Sequence, residues 1–289
     1  VSSEEKARFN FQKGYCLFHT GKQAESKPYF ESVQNNPLYA DNAKYYLGYI
    51  AYDSDDYAKA ESYFREVQDD ATLSKNVSYF QANMYFKQAL YDEAIEEGQK
   101  QLAKTKSAQE ISELNKIIGE SYFNQKKYKE AIPYLQKYKG KKGKFSNTDY
   151  YYLGYAFYKN NDYKAAIEQF NKIVGGNDNV AQNAYYHLAE CYLKTDQKQQ
   201  ALNAFRNASQ MDFDKQIKKD AHLNYARLSY EIGNPYESVP SVLQAYAQAY
   251  PNDNKEEIQS LLVDSYISSG NYQAAISLLE KSNDPKDKE

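Results

Sequence analysis

Tyrosine supplies most of the chemistry open to this chain: 32 of its 289 residues are Tyr, and none is Trp. A phenol joins a flat apolar face to a hydroxyl tip with few rotatable bonds, so it recognises by stacking and hydrogen bonding rather than by breaking bonds. Groups that break bonds are sparse. His19, His187 and His222 stand apart in sequence and none belongs to an HExxH or His-Cys cluster, so no metal ligand is expected. Cys16 and Cys191 read as buried small hydrophobes rather than as a disulfide or as reactive thiols. No GxSxG elbow, P-loop or dinucleotide fingerprint occurs, so no catalytic residue and no cofactor is assigned. The dense basic run, Lys137, Lys139, Lys141, Lys142 and Lys144 with Gly140 and Gly143, lacks a Ser or Thr after its Gly-Lys pairs and reads as a solvated loop. Gly175-Gly176-Asn177-Asp178-Asn179 reads as another loop, without the ligand spacing of a calcium site.

The elements that carry the tyrosines follow from a period. A small residue recurs at Ser26, Ala60, Ala94, Ala131, Ala166, Ala201, Ser238 and Ala275, at intervals of 34, 34, 37, 35, 35, 37 and 37 residues. Such a period means stacked helical hairpins, each unable to bury its apolar face alone. The units run approximately over 7–40, 41–74, 75–111, 112–146, 147–181, 182–218, 219–255 and 256–289, and together they are expected to form one elongated domain over 1–289. Gly48, Gly154 and Ala60 would let helix axes approach closely, with Phe64, Phe170 and Phe205 filling the space beside each crossing. Pro28, Pro133 and Pro240 each lie two residues after a marker. That places them near the first turn of a second helix, where the backbone N–H has no helical partner. Pro37 and Pro251 follow second helices, and Pro235 sits in an inter-helix turn.

The best-preserved units read Leu47-Gly48 with Tyr57, Ala60 and Phe64, Ile118-Gly119 with Tyr122, Tyr128, Ala131 and Leu135, and Leu153-Gly154 with Phe157, Tyr163, Ala166 and Phe170. The weakest are the first, with Lys13-Gly14, Ser26 and Phe30, and the seventh, with Tyr225-Ala226, Ser238 and Val242; both are read in register. On these residues the chain resembles the tetratricopeptide repeat family over its full length. The resemblance implies an all-α fold, a right-handed α-solenoid superhelix of about eight helix-turn-helix repeats. It also implies a non-catalytic scaffold that binds a protein or peptide partner in its concave groove.

On each first helix, positions four, seven, eight and eleven of the unit form a packing stripe, while positions two, five, nine and twelve form a second stripe roughly 130° away. In tetratricopeptide proteins the second stripe lines the groove. Here it opens with Phe11 and continues through the residues assigned to partner binding: Tyr15, Phe18, Tyr45, Tyr49, Tyr52, Tyr79, Asn83, Phe86, Lys116, Glu120, Tyr151, Tyr155, Tyr158, Tyr186, Glu190, Arg227 and Tyr230. Ser260 and Asp264 complete it in the eighth unit. The competing expectation is that these rings stack between adjacent repeats as ordinary core. Some members of the family clamp the acidic tails of chaperones with Lys at position five and Asn at position nine of one unit. No unit here has that pair, since Tyr79 precedes Asn83 and Glu120 follows Lys116.

The net charge of −3 and pI near 5.8 give no general attraction to nucleic acid or anionic membrane. No apolar run approaches the roughly 18 residues of a membrane span. The chain begins at Val1 without an apolar signal segment, as a processed or excised protein would. Its eighth unit runs directly into the charged stretch from Ser282 to Glu289, too short for a capping helix, so further native sequence beyond one or both ends is expected. Uncapped ends leave self-association, and hence the oligomeric state, open. A Tyr-, Lys- and Asn-rich composition resembles bacterial members of the family from the Bacteroidetes type, which favours the periplasm or cell envelope over the cytoplasm. The alternative functions are binding of a glycan or cell-envelope component, and an accessory role in an envelope assembly complex.

Overall fold

The computed structural model describes residues 2–67, 70, 72–173 and 175–282, and its regular elements there are sixteen α-helices and one 3-10 turn, with no strand. They fall into two compact units, residues 1–142 and 143–289. The first unit holds α1 (Ser3–His19), α2 (Gln23–Glu31), α3 (Ala40–Asp53), α4 (Tyr57–Glu66), α5 (Ser74–Lys87), α6 (Tyr91–Leu102), α7 (Ala108–Asn124) and α8 (Tyr128–Lys137). The second holds α9 (Asn147–Lys159), α10 (Tyr163–Phe170), α11 (Asn179–Lys194), α12 (Lys198–Gln210), α13 (Lys215–Ile232), α14 (Val239–Ala249), α15 (Lys255–Ser268) and α16 (Tyr272–Ser282). Each odd-numbered helix pairs with its successor. The stretch 283–289, expected to be too short for a cap, lies outside the described residues.

One turn geometry links the two helices of every hairpin but the seventh. Gly21, Asp55, Ala89, Lys126, Asn161, Asp196, Gly233 and Gly270 occupy equivalent positions, and all have left-handed backbones with φ between 59° and 80°. In the second hairpin the Asp56 N–H donates to the Ala51 carbonyl at 2.9 Å, and the Asp55 N–H to the Tyr52 carbonyl at 3.1 Å. This closes α3 with a Schellman motif, and the residue that completes it is already the N-cap of α4. The same bond pair recurs in seven of the eight hairpins, all but the seventh. In those seven, the motif that ends the first helix runs directly into the start of the second.

Close approach within a hairpin follows the expected small-large pairing. A Cβ built at Gly48 would stand 2.7 Å from the Phe64 ring, one at Gly119 2.8 Å from Leu135, and one at Gly154 2.9 Å from Phe170. Any side chain there would push the helices apart. From the second unit on, the structure adds a second packing stripe on the first helices, at positions three, six and ten, with position six mostly half-buried. Ala43 packs with Phe30 and Val33, while Val77 and Met84 pack with Phe64 and Val67, so this stripe meets the preceding hairpin.

Three sequence expectations change. Pro28 and Pro133 lie inside α2 and α8, beyond the first turn, because these helices begin three residues before the marker; only Pro240 sits at a helix start. Ser238 is not a packing residue. It is the exposed N-cap of α14, whose hydroxyl accepts from the Ser241 N–H, and the buried equivalent of Ala201 is Val242, four residues further on. The extra turn is organised by Asn234, whose amide donates to Tyr225 Oη and Ser229 Oγ at 2.8 Å each while its carbonyl accepts from the Tyr236 and Glu237 N–H groups. Finally, Cys191 is buried but Cys16 is exposed. Both occupy the stripe that meets a preceding hairpin, and α1 has none among the described residues. Burial, then the charge of Glu190, pushes the Cys191 thiol up to about 12, so it stays protonated as an apolar filler.

Candidate partner-binding surface

All of the assigned tyrosines but Tyr230 gather into one aromatic field in each unit. In the first, the Phe18 ring meets Tyr49 edge-on at 5.2 Å, Tyr49 lies 6.2 Å from Tyr52, and both reach the ring of Phe80, at 5.2 and 5.1 Å. Tyr45 and Tyr79 flank the same Phe80 at 6.5 and 5.5 Å. Tyr15 joins through Tyr46, Asn83 lies one turn after Tyr79 on α5, and Phe86 rests on Tyr91. Lys116 and Glu120 on α7 pair at 3.7 Å, with the ammonium 4.8 Å over the Tyr138 ring.

In the second unit Tyr151 stacks on Tyr155 at 5.7 Å and Tyr155 leads to Tyr158 at 5.8 Å, with His187 5.0 Å from Tyr155 and 5.1 Å from Tyr158. Glu190 Oε2 lies 2.8 Å from His187 Nδ1, and Tyr186 meets Phe205 edge-on. Arg227 and Tyr230 stand apart from this field. Arg227 forks onto Glu257 of α15 with Nε and Nη2 donating at 2.7 and 2.6 Å, and Tyr230 Oη donates to Asp264 at 3.4 Å. These two spend their polarity on the next hairpin.

The second ring of each aromatic doublet went unassigned in the sequence. Tyr46 follows Tyr45, Phe80 follows Tyr79, and His187 follows Tyr186. Each second ring stacks on the Phe of the preceding hairpin: Tyr46 on Phe30 at 4.9 Å and 12°, Phe80 on Phe64 at 5.5 Å and 8°, His187 on Phe170 at 6.4 Å and 28°. The doublets themselves were the available signal. Ring contact of this kind is inter-repeat packing, yet none of the seventeen assigned residues is buried, and Tyr15, Arg227 and Tyr230 are exposed. The surface is therefore both joint and face. Burial raises the phenol of Tyr186, ahead of the charges of Glu190 and Asp220, up to about 12, and burial likewise leads in raising Tyr52 and Tyr158. These hydroxyls stay neutral and able to donate.

Among the described residues no group of three His, Cys, Asp or Glu side chains could hold a metal ion, and no helix is long and apolar enough to cross a membrane. The tetratricopeptide repeat profile matches residues 45–108 and 186–254, and a second profile of that repeat matches 117–141. The chain belongs to the tetratricopeptide repeat family. The profile of anaphase-promoting complex, cyclosome, subunit 3 also matches, over residues 141–208.

Solved structures agree in fold over 79–93% of the chain. A tetratricopeptide repeat protein from Parabacteroides merdae is 14% identical with a TM-score of 0.51, covering 90% of this chain and 99% of its own. The C-terminal part of a TPR repeat-containing protein from Cytophaga hutchinsonii is 17% identical with a TM-score of 0.51, covering 93% and 99%. The Pseudomonas aeruginosa pilF structure is 14% identical with a TM-score of 0.53, covering 79% and 98%. At such identities these establish a helical solenoid fold and nothing finer. No protein of curated function matches the sequence. As a tetratricopeptide protein the chain is an interaction scaffold in the general sense, and members of its family bind protein partners.

Proposed function

We propose that this tetratricopeptide protein is a non-catalytic scaffold whose aromatic fields hold an extended segment of a protein partner. One observation carries the reading. The assigned rings pack against their neighbours and still keep part of their surface, whereas Ala43, Val77, Ala82 and Ala189 in the adjoining stripes are 0% exposed. Half-buried tyrosines, fixed by ring contacts and with neutral hydroxyls, can stack on a ligand with little loss of side-chain entropy.

The test is purification from the source organism with the wild-type chain and a Tyr45→Ala, Tyr49→Ala, Tyr151→Ala, Tyr155→Ala chain as baits. Partners retained by the first should bind the second at least about tenfold more weakly, with helicity unchanged by circular dichroism. A companion with Leu at the four positions keeps apolar volume against Phe80 and His187, separating lost recognition from lost packing. Equal retention by wild type and either folded variant removes the groove assignment.

A further inference from the structure

The first unit contains a cavity of about 340 Å³ between α3, α5 and the start of α7. Its apolar walls are the rings of Tyr45, Tyr79 and Phe80, and its polar wall is Glu110 and Glu113 beside Ser107, the N-cap of α7. Among the described residues no Lys, Arg or His lines it. Glu110 accepts a hydrogen bond from the Thr105 hydroxyl, which supplies no charge. Glu113 has neither a hydrogen bond nor an ion pair among the described residues. Its field reaches across the cavity: the Tyr79 phenol is raised, first by burial and then by the Glu113 charge.

Two carboxylates facing aromatic rings form a cation-accepting environment. The N-terminus of α7 opposes this with about half a positive charge, which two full negative charges outweigh. Among biological cations an arginine side chain fits best. Its guanidinium forks onto carboxylates and stacks on tyrosine faces, whereas an ammonium does only the first, as a point charge. A cavity of this size is at the lower end of those that hold small ligands, enough for one long side chain. We propose that this cavity is an arginine pocket, which takes one arginine of the extended partner segment. The proposal rests on the scaffold reading for where that arginine comes from, but not for the binding of the guanidinium itself.

The probes are the capped tripeptides acetyl-Gly-Arg-Gly-amide and acetyl-Gly-citrulline-Gly-amide, titrated into the intact chain while the ring signals of Tyr45, Tyr79 and Phe80 are followed by NMR. The arginine peptide is expected to shift these signals saturably with a Kd below about 10 mM. Citrulline, isosteric and neutral, should bind about tenfold more weakly, as should the arginine peptide with Glu113→Gln or Glu110→Gln chains that keep wild-type helicity. Equal shifts from the two peptides, no saturable shift with arginine, or unchanged affinity in both glutamine variants would overturn the pocket. If the pocket fails while the four-tyrosine chain still loses its partner, the scaffold reading stands alone. If arginine binds as expected and that chain keeps its partner, the pocket stands and the groove does not.

Discussion

Phe64→Ala is expected to lower the unfolding free energy by about 3–5 kcal/mol, the range for emptying a fully packed phenylalanine site. Phe64 is 0% exposed, seats on the bare backbone of Gly48, and stacks on Phe80 of the next hairpin at 5.5 Å. It therefore serves two terms of a linear array at once, the internal packing of its own hairpin and the interface to its neighbour. The cavity cannot be filled from one side without opening the other. Urea unfolding followed by circular dichroism checks this, and a loss under about 1 kcal/mol would mean that Phe64 does not join the two hairpins. Phe64→Leu, which keeps much of the volume but not the stacked ring, should fall between wild type and Ala.

Raising the pH above 10 should unfold the protein cooperatively. Burial, with smaller contributions from neighbouring phenols or carboxylates, pushes Tyr46, Tyr186 and Tyr246 up to about 12, and raises Tyr52 and Tyr158 as well. In the unfolded chain these phenols ionise near 10. Between about pH 10 and 12 the folded state thus holds protons that the unfolded state has released, and stability falls as pH rises. Below 10 the contribution is fully present. Tyrosinate absorbance and helicity recorded on one sample should show exposed phenols titrating first, followed by a second ionisation that coincides with loss of helix. Complete ionisation near pH 10 with helicity intact would show that the aromatic fields are open to water.

The hairpin fold was legible because its spacing depends on volume: Gly48, Gly119 and Gly154 must face large residues at a fixed distance along the chain. Ser238 misled because serine is both small enough for a crossing and suited to capping, and the two roles separate only when the Asn234 turn is seen to lengthen the seventh hairpin. The proline positions misled for a related reason, since the sequence marks the crossing and not where each helix begins. Of the candidate surface, position and aromatic character could be read, but the second ring of each doublet could not. Tyr46, Phe80 and His187 differ in chemistry, and their shared task appears only against Phe30, Phe64 and Phe170. Arg227 read as a groove cation for want of its partner, Glu257, which lies thirty residues away.

The left-handed residue in each hairpin turn gives the array an adjustable thermal tolerance. Three turns already use glycine, whereas Ala89 and Lys126 hold a conformation that disfavours a side chain by about 1–2 kcal/mol. Replacing either by Gly returns roughly 0.5–1 kcal/mol after the added freedom of the unfolded chain is counted. Both residues are exposed, away from the crossings and the aromatic fields. Heat resistance can thus drift up or down at these turns, one hairpin at a time, without altering what the protein recognises.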